Sequence, residues 1–267
     1  MELNRSSYYK WLRREKSASE LQNESLIPLI REAYEERNGI LGYRQMTIKL
    51  NREQGLGLNH KRVYRLMRIL GLKSVCRKKR YNYIKSTPEV VAENILNRDF
   101  TAERPRQKWL TDVTEFQYGD GQKAYLSAIL DLGDRSIVSY VIGRSNNNAL
   151  VFETFDMAVV AHPSAKPLFH SDRGFQYTNK VFKRKLDEAG MTQSMSRVAR
   201  CIDNGPMEGF WGIIKSEMYY LRKYSSYEEL TAAIHDYMNY YNTKRYQKRL
   251  LCMSPLEYRH YLDSLAA

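Results

Sequence analysis

The stretch LFHSDRGFQY (168–177) reads as a short buried strand that runs into a polar loop. Leu168 and Phe169 favour a strand, and His170, Ser171 and Asp172 follow before Arg173 and Gly174. Ser, Asp and Gly are ordinary turn residues, so a plain turn accounts for the local pattern. A turn is the commoner reading of such a strand end taken alone; the sharper one is that this carboxylate, between a histidine and an arginine, is a metal ligand. The choice depends on what the rest of the chain offers.

Upstream, WLTDVTEFQY (109–118) alternates and is rich in β-formers, and AYLSAILDL (124–132) and IVSYVIG (137–143) follow at hairpin distances. Three such runs in sequence predict an antiparallel meander. ALVFETFDMAVVA (149–161) reads as a helix, after which PLFHSD returns as a fourth strand. VFKRKLDEAG (181–190) is a second helix stopped by Gly190, MTQSMS (191–196) a short fifth strand, and another helix begins near Asn204. The order β-β-β-α-β-α-β-α predicts an α/β domain with a mixed sheet and helices on its faces. Ser226 and Glu229 read as a capping box opening a long amphipathic helix, with Leu230, Ala233, Ile234, Tyr237, Met238 and Tyr241 on one face. Its tyrosines are expected to pack against the sheet domain rather than stack on bases.

Two further acidic residues join Asp172. Asp112 falls in the middle of the first strand, where a carboxylate costs desolvation unless something pairs with it. Glu208 lies in IDNGPMEGFWGIIKSE (202–217), where Asn204 can cap the helix and Pro206 is tolerated in its first turn. Glu208 is then in the first turn, and Lys215 lies two turns later on the same face. Met207, Phe210, Trp211, Ile214 and Met218 form the apolar side. Three carboxylates on neighbouring elements could hold two Mg2+ ions (Mn2+ can substitute), a set suited to in-line displacement at phosphorus. Lys215 would then hold a phosphate rather than a metal.

The 267 residues carry 43 Lys+Arg against 30 Asp+Glu, and the excess is uneven. Residues 1–108 hold 24 basic and 12 acidic residues, a net of +12, whereas 109–267 hold 19 and 18, a net of +1. Such asymmetry favours a nucleic-acid partner for the first part, a solvated basic face being the plainer alternative. ESLIPLIREAYEERNG (24–39), RQMTIKLNREQ (44–54) and HKRVYRLMRILG (60–71) read as three helices broken by glycines, with Asn59 as cap of the third. Val63, Leu66, Met67 and Leu70 of the third face one way; His60, Lys61, Arg62, Arg65 and Arg68 occupy much of the rest. This suits a helix-turn-helix-like unit, with Arg44 as a further contact. Arg77, Lys78, Lys79 and Arg80 read as a phosphate-contacting run. No run of eighteen apolar residues occurs, MELNRSSYYKWLRREK has no apolar stretch of the kind a secretion signal needs, and the three cysteines form no CxxC pair. A reducing cytoplasm without membrane contact is the expected setting.

WLTDVTEF, HSDRGFQY, SMSR, CIDN with its following glutamate, and the basic residue seven beyond it resemble the transposases of the insertion-sequence-three (IS three) family, in particular the second-reading-frame product. Fifty-nine residues separate Asp112 from Asp172 and thirty-five separate Asp172 from Glu208, as in that family's DDE signature. SSYYKW, GYRQMTIKLN, NHKRVYRLMR and the closing YNTKRYQKRLLCMSPLEY (241–258) extend the resemblance over nearly the whole chain. It implies a ribonuclease-H-like integrase core over 109–222, a small all-α helix-turn-helix-like domain over 1–80, a linker over 81–108, and a helical tail over 223–267 completing the core. By the same resemblance Asp112, Asp172 and Glu208 are the metal-binding catalytic triad. His170, Ser171, Arg173 and Asn204 support it or contact DNA, and Asp131 is structural. It implies double-stranded DNA as partner (terminal repeats and target), assembly of several copies on that DNA in the bacterial nucleoid, and an upstream-frame product as a fusion partner. The competing reading is a DNA-binding accessory without catalysis.

Overall fold

RSSYYKWL forms a first short helix, α1 (Arg5–Leu12), in a computed structural model that describes residues 5–76, 93–197 and 201–266. Two compact units emerge, residues 1–75 and residues 76–267. In the first, the Ser17 hydroxyl accepts the Glu20 N–H and the Glu20 carboxylate accepts the Ser17 N–H at 2.9 Å. This capping box starts α2 (Ala18–Glu36) well before the apolar stripe that begins near Glu24. α3 (Tyr43–Glu53) and α4 (His60–Ile69) follow, and the Asn59 side chain caps α4 as the sequence predicts. Leu26 and Ile30 of α2, Met46 and Leu50 of α3, and Val63, Leu66 and Met67 of α4 make the core. Gly39 closes α2 at φ +76°, and a Cβ there would meet the Tyr34 hydroxyl oxygen at 2.8 Å, so only glycine fits.

The second unit is a five-stranded sheet of order β3-β2-β1-β4-β5. β1 (Lys108–Tyr118), β2 (Gln122–Asp131) and β3 (Ile137–Gly143) form the predicted antiparallel meander, with Asp112 opposite Ala128. β4 (Leu168–Ser171) runs parallel to β1, and β5 (Thr192–Met195) parallel to β4. The helices are α5 (Asn148–Ala161), α6 (Lys180–Glu188), α7 (Gly205–Glu217), α8 (Tyr227–Thr243) and α9 (Pro255–Ala266). Alternation along β1 sorts its side chains between two faces. Trp109 and Val113 join Phe155, Phe169, Phe182 and Leu186 in a core beneath α5 and α6. Asp112, Thr114 and Phe116 turn the other way and meet Trp211, Lys215 and Tyr219.

Three expectations need revision. The described part of the expected linker, from Glu93 on, is built into the sheet unit. Leu96 is buried and gives its N–H to Ser194 Oγ at 3.0 Å, and Glu93 O accepts the Met195 N–H. Asn204 does not cap α7. It ends a 3-10 turn (Cys201–Asn204) at φ −118°, ψ 28°, and its Nδ2 donates instead to Thr111 O at 3.1 Å. At α8, Ser226 Oγ accepts the Glu229 N–H, but the Glu229 carboxylate reaches back to the Ser225 N–H and hydroxyl, one residue outside a capping box.

The last part of the chain completes the unit. Tyr237, Tyr240 and Tyr241 of α8 are buried, with Tyr241 edge-on to Phe210 at 4.9 Å. Asn242 brackets the start of β3, accepting from Ile137 N and donating to Ile137 O, both at 2.9 Å. Arg259 of α9 holds Asp134 and Ser136. Asp131 is structural, as expected: it accepts from Trp109 Nε1 and from the backbone N–H groups of Arg106 and Gly133.

Asp203 joins distant pieces of this unit. Fully buried, it accepts from Asn94 Nδ2, from the Arg98 guanidinium at 2.7 Å, and from the backbone and guanidinium of Arg197. Burial pushes its carboxyl up, but the Arg197 and Arg98 donors outweigh that and hold it well below its usual range. We expect Asp203→Asn to destabilise the protein by about 2 kcal/mol, read by chemical denaturation, because its donors lose a charged acceptor. An unchanged midpoint would remove Asp203 from this role.

Candidate active site

Asp112, Asp172 and Glu208 come from three elements that meet at β1. Asp112 stands in the middle of the central strand, Asp172 directly follows β4, and Glu208 lies in the first turn of α7. Asp112 Oδ1 accepts the N–H of Val113 at 2.8 Å, and Oδ2 accepts the Trp211 indole N–H at 2.9 Å. Asp172 Oδ1 accepts the Gly174 N–H at 2.9 Å. Burial, then the charge of Asp172, push the Asp112 carboxyl up to about 7; Trp211 and Val113 oppose this, and Glu208 adds a weaker push. Asp172 is also raised, by burial.

These carboxylates therefore destabilise one another's charged forms, a situation that a divalent cation relieves. Hard oxygen donors are the set Mg2+ prefers. Asn204 Oδ1, carried on the side chain bound to Thr111 O, is buried without a hydrogen-bond partner and adds an oxygen acceptor beside this strand. The donor set thus fits a divalent cation in kind. Among the described residues no three such side chains stand close enough together to form a finished coordination sphere.

The neighbouring residues divide into separate roles. His170 is fully buried, its Nδ1 paired with Ser194 Oγ at 2.9 Å and its Nε2 with Ser196 Oγ at 3.1 Å, so it binds β4 to the β5 segment and both ring nitrogens are already paired inside the sheet unit. Ser171 is also buried, and its hydroxyl donates to Asp172 O. Arg173 Nε donates to Ser196 O at 2.7 Å. Lys215 Nζ donates to Thr114 Oγ1 at 2.6 Å and lies 5.3 Å from the centre of the Phe116 ring.

Two residues of this site were not singled out in the sequence. Trp211 reads there only as part of an apolar face, yet its indole N–H is polar and lies three residues beyond Glu208, one turn along α7. Tyr177 is fully buried, its hydroxyl 3.3 Å from Thr111 Oγ1; burial, then the charges of Asp112 and Asp172, push its phenol well above the usual value. It packs with Trp109, Phe169 and Phe182 on the other face of β1 from Asp112, close enough for the charges of both carboxylates to be felt. Nothing in its sequence neighbourhood distinguishes it from a packing tyrosine.

In the helical unit, Arg44, His60, Lys61, Arg65 and Arg68 are exposed. Tyr43 and Tyr64 lie among them with ring centroids 5.0 Å apart, flanked by the Arg44 and Arg68 guanidiniums. Arg62 departs from the expectation. Its guanidinium donates to Asn23, Gln22 and Ser19 O, so it fastens α4 to α2. Arg77, Lys78, Lys79 and Arg80 lie outside the described residues. No helix among the described residues is long and apolar enough to cross a membrane.

Known proteins share this organisation. The HTH-like domain family matches residues 20–80, and two integrase core domain families match residues 102–201 and 208–261. An Escherichia coli K12 protein named as transposase InsK for insertion sequence element IS150 is 41% identical over 232 residues, 86% of this chain and 81% of that one. A transposase-like protein of Haemophilus influenzae is 42% identical over 214 residues, 80% of this chain and 98% of that one. The 31 kDa protein of insertion element IS600 from Shigella sonnei is 32% identical over 99% of this chain and 98% of that one. Among solved structures, a chain of the simian T-cell lymphotropic virus intasome, in complex with PP2A regulatory subunit B56 gamma, matches with TM-score 0.51 at 13% identity. It covers 86% of this chain and 74% of that one, and the likeness is one of fold.

The buried His170 ring makes stability depend on pH. Burial pushes it down to about 4, against about 6.5 in an unfolded chain. Between these values the unfolded chain binds a proton that the folded chain refuses, so stability falls as pH drops through the window. We expect a loss of about 3 kcal/mol from this group, read as the difference in pH-dependent unfolding between the protein and His170→Gln. Parallel curves for the two would refute it.

Proposed function

Because the chain belongs to the transposases of IS three-type insertion sequences, we propose that Asp112, Asp172 and Glu208 are its catalytic carboxylates and hold two divalent cations, Mg2+ or Mn2+. The observation that carries this reading is the placement of Asp112 in central strand β1, Asp172 directly after the adjacent β4 and Glu208 in the first turn of α7, which packs on β1; the raised Asp112 carboxyl agrees with it. Bound there, the cations would supply Lewis acidity to the attacking and leaving oxygens at one phosphate. The reaction is hydrolysis of one strand at the element's end, then attack of the freed 3′-hydroxyl on a target phosphodiester. In each step a P–O bond forms to the incoming oxygen as the opposite P–O bond breaks.

The protein's contribution is placement. β1 and α7 carry Asp112 and Glu208, and Asp172 directly follows β4, where its carboxylate is held by the Gly174 N–H. Trp211 fixes the rotamer of Asp112. Lys215 is the cation for the substrate phosphate, exchanging its bond to Thr114 for that contact. His170 and Ser171 hold the end of β4 that leads into Asp172, and the Arg173–Ser196 bond continues this support. The exposed Arg44, His60, Lys61, Arg65 and Arg68 are the duplex-binding groups of the helical unit. Pairing of two element ends calls for more than one copy on the DNA, and an upstream-frame product is the proposed fusion partner. DNA as substrate places the protein with the nucleoid.

We expect Asp172→Asn and Glu208→Gln each to lower metal-dependent nicking of labelled DNA by roughly 10²–10³-fold or more, with duplex binding retained. Undiminished nicking by either variant would sink the triad.

A second comparison separates the arginines of α4. Arg65→Ala and Arg68→Ala should each reduce the slope of log affinity against log salt by ~0.9 while leaving the thermal midpoint unchanged. Arg62→Ala should lower the midpoint, because it cuts three bonds to α2, and leave the slope alone. The reverse pattern would reassign these side chains.

A further inference from the structure

α1 has no core of its own. All of its described side chains are exposed, including Tyr8, Tyr9, Trp11 and Leu12. An isolated helix this short is marginal in water, so a partner is needed to hold its apolar stripe. Tyr8, Trp11 and Leu12 are spaced at i, i+3 and i+4 and form one face, and the Tyr8 and Trp11 rings stack with centroids 6.5 Å apart. The two charges within α1, Arg5 and Lys10, are basic, and Arg13 follows them before the exposed Glu15. Arg14 and Lys16 are taken up by Glu20 and Glu24 of α2. Lys10 and Arg13 are exposed and form no ion pair among the described residues, and Arg5 lies 6.0 Å from the Tyr9 ring centre.

We propose that α1 docks on the sugar–phosphate backbone of duplex DNA, extending the DNA-binding surface beyond α4. Charge selects the occupant. Uncompensated lysine and arginine beside exposed aromatics match an anionic, partly apolar strand, whereas lysine is depleted at protein–protein contacts. Lys10 and Arg13 meet phosphates, and Tyr8 and Trp11 lie against deoxyribose. The proposal rests on the reading of this chain as a DNA-binding transposase and adds to it a contact outside the helix-turn-helix-like elements.

The chain's tryptophans provide the test. Trp11 is 67% exposed, while Trp109 and Trp211 are 0% and 7% exposed. Acrylamide quenching that is present in the full chain and absent in Trp11→Phe therefore reports α1 alone. A mixed-sequence DNA duplex should protect this signal at least twofold, and the pair Lys10→Ala, Arg13→Ala should remove the protection and lower the salt slope by ~2. Duplex binding with Trp11 still fully quenchable would overturn the docking and leave the proposed function standing. Shielding of Trp11 that grows with protein concentration before DNA is added would assign the face to a second copy and overturn it too. No duplex binding at all would fail both readings together.

Discussion

A carboxylate in the middle of a central strand is the constraint around which the sheet unit is arranged. Strand β1 lies between β2 and β4, and Asp112 is half-buried there against α7. Its two hydrogen bonds, to Val113 N and to the Trp211 indole, leave the carboxyl still raised to about 7. The remaining imbalance comes from burial and from the neighbouring acids. A site of this kind is poised for a cation, because bringing in positive charge removes the cost of holding the acids ionised together.

That arrangement holds only while α7 stays pressed on β1, and contacts spread over the chain keep it there. At its start, Asp203 gathers Asn94, Arg98 and Arg197, and Asn204 is hydrogen-bonded to Thr111. Along its length, Phe210 packs edge-on against Tyr241 and Lys215 reaches Thr114. At its end, Glu217 pairs with the part-buried Arg245 and accepts from the Tyr237 hydroxyl. Removing one partner of such a pair leaves an uncompensated charge and costs several kcal/mol, so the tail acts on the site although it lies far from it in sequence.

The helical unit follows a different logic. Its core is small and made of evenly spaced apolar residues, and the basic side chains of α4 are sorted by geometry. Arg62 faces α2 and is spent on packing it, whereas Lys61, Arg65 and Arg68 stay exposed. Three arginines on one short helix therefore carry two kinds of work. The difference is one of helical phase, since residues three apart share a side with α2 only where α2 passes.

Much of this was legible along the chain because it depends on local periodicity. Alternation in WLTDVTEFQY marks β1 and places Asp112 on one face, and the Asn59 cap marks α4; Asp112, Asp172 and Glu208 stood out as a set through the resemblance to the transposase family. The helix start at Ser17 is also written locally, in SASE, as a capping box ahead of the apolar stripe. Other features depend on distant partners and had no local signal. Asn204 looks like a cap until β1 offers it Thr111 O, and residues 93–107 look like a linker until β5 receives Leu96. His170 looks available for DNA until Ser194 and Ser196 enclose it. By itself the sequence determined which elements form and which residues carry charge, because backbone preference and side-chain spacing act over a few residues. Only the tertiary structure decided which polar groups are buried and with whom, because desolvation and pairing depend on segments a hundred residues apart.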